Sequence, residues 1–176
     1  MPCTTLQSLL KASCEPNNIG GITALYIMDQ ENIASTGLTI ALSSNTITAI
    51  VPNPANTKFA TVDFKRNVGN FTVEHVEDLV TGNGNYKATI NITLNRREGV
   101  KSRSLHILGE GQRFLTIIAL GADGTYTHFD FAQLASGSEN SGTARADGTN
   151  YTLVFMAELN QRPYFVAPGI MPALIA

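Results

Sequence analysis

Three histidines, two cysteines and a scattering of carboxylates are the side chains of this 176-residue chain that could do chemistry. His75, His106 and His128 fall on separate segments, and no G-x-S-x-G sets a serine beside a base. Nucleophilic catalysis needs a nucleophile, a base and an orienting acid together, and the sequence does not bring them together. His128 and Asp130 stand two apart, on one side of a strand, and make a two-ligand start for a metal. Glu74-His75 with Glu77-Asp78 is the other candidate. Neither is a full ligand set, and Cys3 and Cys14 do not form a C-x-x-C, so no metal and no cofactor are expected. Glu74, Glu77, Asp130 and Glu158 could supply the paired carboxylates of glycoside hydrolysis. Sugar-handling β-sandwiches also present aromatic platforms, however, and this chain has no Trp and only five scattered tyrosines. Gly82-Asn83-Gly84 and Gly109-Glu110-Gly111 lack the following G-K-[ST] or helix start that phosphate binding uses. The expectation is a protein without a catalytic site.

Composition points to a building block. Hydrophobic residues make up 43% and charged residues 15%, the latter low against about 25% in soluble domains. Thr, Asn, Ser and Gly take their place, so part of the surface is either covered by other subunits or tolerated as uncharged. A net charge of −2 argues against long-range attraction to nucleic acid. The small basic clusters Lys65-Arg66 and Arg96-Arg97, with Lys101 and Arg103 following, read as solvated strand ends. No run approaches the roughly 18 apolar residues of a membrane span. The N-terminal stretch has no basic leader region, and Gln7, Ser8 and Lys11 interrupt Leu6, Leu9 and Leu10. Synthesis in the cytoplasm, with reduced cysteines, is expected.

The elements that must carry these residues are mostly strands. Thr4 or Thr5 can cap a short helix bearing Leu6, Leu9 and Leu10 on one face. Thr23–Met28 reads as a strand, residues 29–45 as a loop with one more strand, and Thr46–Val51 as a strand stopped by prolines. Lys58–Arg66 places Ala60, Val62 and Phe64 on one face, and Val68-Gly69-Asn70 reads as a turn. Phe71–Val80 is a strand whose alternation slips near His75 and Val76, as at a bulge. After a turn at Gly82–Asn85, Tyr86, Ala88, Ile90, Ile92 and Leu94 alternate with polar residues. Gly99–Gly109 breaks the period and reads as a short helix, with Leu105, Leu108 and Val100 toward one side. Phe114–Leu120 is continuously apolar, the mark of a central strand covered on both faces. Asp123-Gly124 and Asp147-Gly148 are two-residue hairpin signals inside a repeated Ala-Asp-Gly-Thr, and Ser136–Ser141 reads as a polar loop. Tyr151, Leu153, Phe155, Ala157 and Leu159 give the cleanest alternation. The tail from Pro163 is apolar and uncharged, and must pack on its own body or on a neighbour.

Three stretches together resemble a structural-protein family of tailed phages of Bacteroidetes-type hosts, related to tail-tube proteins. They are Gly20–Ile27 (GGITALYI), soon after Cys14-Glu15-Pro16; Arg113–Thr127 (RFLTIIALGADGTYT); and Ala144–Val166 (ARADGTNYTLVFMAELNQRPYFV). Residues 29–57 and the tail after Val166 match nothing in that family. The resemblance implies a mainly β subunit, a β-sandwich or half-barrel of tail-tube type with one short flanking α-helix and extended termini. It implies one domain over residues 1–176, with an N-terminal arm (1–22) and an apolar C-terminal tail (167–176). It further implies hexameric rings that stack into a conduit for DNA in a virion tail, assembled in the bacterial host cytoplasm. The partners are then the chain itself, other tail or neck proteins, and DNA passing without sequence-specific binding; no membrane is involved. In such a tube Glu74, Glu77 and Asp78 are the candidates to line the lumen. Leu6, Leu9 and Leu10, with Ile170, Met171 and Leu174 of the tail, are the candidates to reach a neighbouring subunit. The other readings are the tube of a contractile injection apparatus and a monomeric β-sandwich module that binds glycan or protein.

Overall fold

The computed structural model describes residues 20–64, 68–78, 83–110, 113–142 and 148–175. Ten strands and two helices follow in chain order: β1 Ile22–Asp29, β2 Ile33–Ala41, β3 Thr46–Pro52, β4 Ala60–Asp63, β5 Gly69–Asp78, β6 Asn83–Asn95, α1 Gly99–Gly109, β7 Leu115–Gly121, β8 Tyr126–Asn140, β9 Asn150–Leu159, β10 Tyr164–Val166 and α2 Met171–Leu174. The strands join in one branched sheet. One arm runs β2-β3-β10-β8-β7-β1-β4, and from β8 a second arm runs through β9 and β6 to β5. Pairing is antiparallel except between β3 and β10. The fold is thus mainly β with a short flanking helix, as the strand patterns predict, and a curled half-barrel, as the resemblance implies.

Two apolar cores explain why the middle strands are apolar on both sides. Along β1, Leu25 and Ile27 face one core while Ala24, Tyr26 and Met28 face the other. Along β7, Leu115, Ile117 and Ala119 face the first core and Ile118 the second. The first core is closed by Ala88, Ile90, Ile92 and Leu94 of β6 and by Tyr151, Leu153, Phe155 and Ala157 of β9. These are the inward positions of the two clean alternations. Leu105 and Leu108 of α1 pack against its side, while Val100, expected on that side, is 79% exposed. The second core gathers Ile47 and Ile50 of β3, Val166 of β10, Phe59, and Met171 and Leu174 of α2. Phe59 is fully buried although it has the opposite parity to Ala60, Val62 and Phe64. Its amide donates to the Leu174 carbonyl at 2.9 Å, and it bridges to Ile175. The tail therefore packs on the chain's own body.

The branch is made by one strand. The first part of β8 pairs with β7 and β10, while Gln133–Asn140 pairs with β9. Near the end of the first part, inside the register shift between Ile117↔Phe129 and Leu115↔Ala132, Phe131 has a left-handed φ of 50°, strained for a bulky residue. Gln30 holds the kink. Its Oε1 accepts from the Thr116 hydroxyl and, at 3.5 Å, from the Phe131 amide. Phe114 stacks edge-on to Phe131 with ring centroids 5.9 Å apart.

Several turns differ from the sequence expectation. Gly69 and Asn70 belong to β5, and Asn83, Gly84 and Asn85 to β6. The expected bulge at His75 and Val76 is absent: β5 and β6 pair without a register break from Gly69↔Ile92 to Asp78↔Asn83. The alternation lapses there because both faces are exposed from Glu74 to Glu77, so no core selects apolar residues. Ser136–Asn140, expected as a loop, is the second half of β8, polar because it lies at a sheet edge. At Gly121–Thr125 the hairpin has three loop residues and a single positive φ, at Gly124 (84°). Asp123 Oδ1 accepts from the Thr125 amide (3.0 Å) and hydroxyl (2.7 Å), which fixes the turn and lowers its pKa. Ala146 and Asp147 of the second Ala-Asp-Gly-Thr lie outside the described residues.

Two phenylalanines two residues apart should respond oppositely to substitution. Phe129 is fully buried, so Phe129→Ala should cost about 3–5 kcal/mol in urea unfolding. Phe131→Asn should stay within about 1 kcal/mol of the parent, because Asn tolerates the left-handed backbone. Leu174→Ala should cost about 2–4 kcal/mol by the same measurement, because the tail completes the second core.

Candidate functional site

The second arm of the sheet is a four-stranded antiparallel layer in the order β5-β6-β9-β8. Its inner face is the roof of the first core. Its outer face follows from the pairing register, in which side chains alternate. Asn70, Asn91, Val154 and Ser136 stand in one row, and Thr93, Thr152 and Ser138 in another. Among the rows in which β5, β6 and β9 all pair, charge enters only at Glu74–Lys87–Glu158. This face is broad, polar and nearly neutral, as period-2 strands rich in Thr and Asn dictate.

Both edges of the layer are open among the described residues. β5 pairs only with β6, and Ser136–Asn140 of β8 pairs only with β9. Every residue from Ala135 to Asn140 is exposed. Beyond the end of β9, Val76–Asp78 pairs with Asn83–Asn85 alone, so a two-stranded tip projects by roughly 10 Å. Val76 on it is 48% exposed, and His75 stacks on Tyr86 at its base, 4.8 Å between centroids. Open, regular edges of this length are sites of strand addition.

The residues proposed from sequence divide among different places. Glu74 lies on the outer face of the layer, in the charged row. Glu77 has the opposite parity and is exposed on the other side of the projecting tip; Asp78 ends β5 opposite Asn83. The three acids therefore do not form one stripe. Met171 and Leu174 are 1% and 5% exposed within the chain's own second core, and Ile170 packs half-buried against it. As arms toward a neighbour these tail residues are corrected: the second core lacks a floor without them. Leu6, Leu9 and Leu10 lie outside the described residues, as do Cys3 and Cys14. Of the basic cluster, Arg97 pairs with Glu139, while Arg96 and Lys101 reach Glu98 at 3.6 and 3.5 Å. Two carboxylates therefore offset only part of the charge of these three cations.

Two features carried little signal in the sequence. Phe114 and Phe131 form a half-exposed aromatic pair at one end of the half-barrel, and a kink in β8 is what turns Phe131 outward. His128 is buried on the second-core side of β8, its side chain 1% exposed. Its Nε2 lies 3.4 Å from Asp130 Oδ1, and neither atom has a hydrogen-bond partner. Burial pulls the imidazole pKa below the ordinary histidine range, and the Asp130 carboxylate opposes this less strongly.

No family model and no curated protein matches the chain. Among solved structures, a chain from the virion of a native gene transfer agent particle aligns with it at 14% identity and a TM-score of 0.43. The alignment covers 80% of this chain and 99% of that one. An overlap that loose carries no argument about fold or role.

Proposed function

We propose that this chain is a non-catalytic structural subunit of a phage tail tube, assembling edge to edge into rings that stack into a DNA conduit. The observation that supports it is the four-stranded layer with two open edges and a polar, nearly neutral outer face. Pairing β5 of one copy with the Ser136–Asn140 edge of the next satisfies both rows of unpaired backbone groups. Such a contact is heterologous, so repetition either closes a ring or runs on as a filament.

Strand spacing bounds the ring. Four strands per copy at about 4.8 Å span an arc of about 19 Å. Six copies give a closed barrel about 37 Å across between facing backbones before strand tilt, whereas four copies give only about 24 Å, before side chains fill the lumen. A ring of about six therefore suits a duplex. The lumen is then the outer face of the layer, with Glu74, Lys87 and Glu158 as its charges and Thr and Asn elsewhere. A wall of this kind does not hold phosphate, because counterion release needs clustered Lys or Arg.

Edge pairing is tested by bismaleimide cross-linking of Glu74→Cys with Ser138→Cys, with Cys3 and Cys14 replaced by Ser. Assembled tubes should give a ladder of covalent oligomers. No ladder from assembled tubes overturns the edge pairing, and a clean monomer absent from virus particles in electron microscopy supports the binding-module reading instead. The lumen assignment is tested by Thr89→Lys, Thr93→Lys and Thr152→Lys together. Rings should persist while DNA passage slows in a salt-dependent way; unchanged passage through intact rings rejects this face as the lumen.

A further inference from the structure

We propose that the groove between α1 and the open Ser136–Asn140 edge of β8 seats β5 of a second copy, held by an ion pair between Glu77 of one copy and Arg103 of the next. This rests on the edge pairing proposed above and adds the side-chain contact that selects which edge enters.

The groove lies on the inner side of the layer. α1 is placed there because Leu105 and Leu108 pack against the first core. Leu105 and His106 of α1 form one wall of a cavity of about 320 Å³, Leu134 and Gly137 of β8 form the other, and Leu153 lies beneath. Gly137 keeps the cavity open. A Cβ there would stand 3.4 Å from Leu153 Cδ2, an ordinary contact, so the fold itself does not require a glycine. A strand added to this edge runs past the gap, and the side chains on its inner face point toward it.

Charge selects the strand. Arg103 is exposed and has no ion-pair partner among the described residues. It stands one turn from His106, on the solvent side of α1. Nearby, Arg96, Arg97 and Lys101 are offset only in part by Glu98 and Glu139, so this end of the groove is basic. The other edges of the sheet are β2, β4 and β5. β2 has no charged side chain, and β4 is four residues long with Asp63 alone. β5 carries Glu74, Glu77 and Asp78. Of these Glu77 has the parity of the inner face, the side on which α1 lies. Phe71 and Val73 share that parity and are only half-buried, so entry into the groove also covers apolar surface. Opposite charges across a contact fix partner and register more than affinity, and that is the role assigned to this pair.

The test follows assembly of the full chain by sedimentation and electron microscopy. The cross-link of Glu74→Cys to Ser138→Cys, with Cys3 and Cys14 replaced by Ser, reports edge pairing separately. Glu77 and Arg103 are both exposed, so Glu77→Arg and Arg103→Glu should unfold in urea as the parent does. Each should raise the concentration needed for assembly at least about tenfold, because like charges then meet across every contact. The double exchange should bring it back toward the parent, a rescue that a merely structural role would not give. Gly137→Val should fold but fail to assemble, its side chain filling the groove from within. Normal assembly of either reversed variant, or of Gly137→Val, with the cross-link ladder intact overturns the proposal and leaves edge pairing standing. No ladder from the parent overturns both.

Discussion

One strand belongs to two arms of the sheet, and the rest of the structure is arranged around that fact. The first half of β8 is hydrogen-bonded to β7 and β10, and its second half to β9. A strand that passes from one arm of a sheet to another commonly bends at a bulge, and the β7–β8 ladder breaks register there, between Leu115 and Ile117. The break is the left-handed backbone of Phe131, which costs of the order of 1–3 kcal/mol. The Gln30 carboxamide and the Phe114 ring hold it in place. From this kink follow the separation of the two arms, the enclosure of the first core between them, and the outward turn of Phe131.

The two cores distribute the chain's apolar residues according to that branching. β1 and β7 lie where both cores meet, so their side chains are buried whichever way they point. β6 and β9 roof only the first core and keep a polar outer face. β5 and the end of β8 lie farthest out, where burial fades and backbone groups remain open. A layer with an apolar underside, a Thr/Asn surface and open edges resolves the low charge of the composition. Its surface is polar with little charge, and its edges are open among the described residues.

Sequence reading did well where a core lies under a regular strand. The alternations at Tyr86–Leu94 and Tyr151–Leu159, the apolar run of β7 and the helix at Gly99–Gly109 all hold. It went astray where a single face no longer governs the pattern. At His75 and Val76 the lapse in alternation suggested a bulge, but the strand has merely run past the core. At Ser136–Asn140 edge exposure made a strand look like a loop. Phe59 was missed because the tail that buries it is more than 100 residues away in the chain.

By itself the sequence determined the strand-rich class, the inward positions of most strands and the polar character of the outer layer. These follow from the period of two between side chains and from burial on one side, both local properties. Only the tertiary structure decided that the tail is a floor rather than an arm, and that His128 is buried within ion-pair reach of Asp130. Those outcomes depend on which distant segments meet. The register between strands and the kink in β8 set those meetings, and no local pattern encodes either.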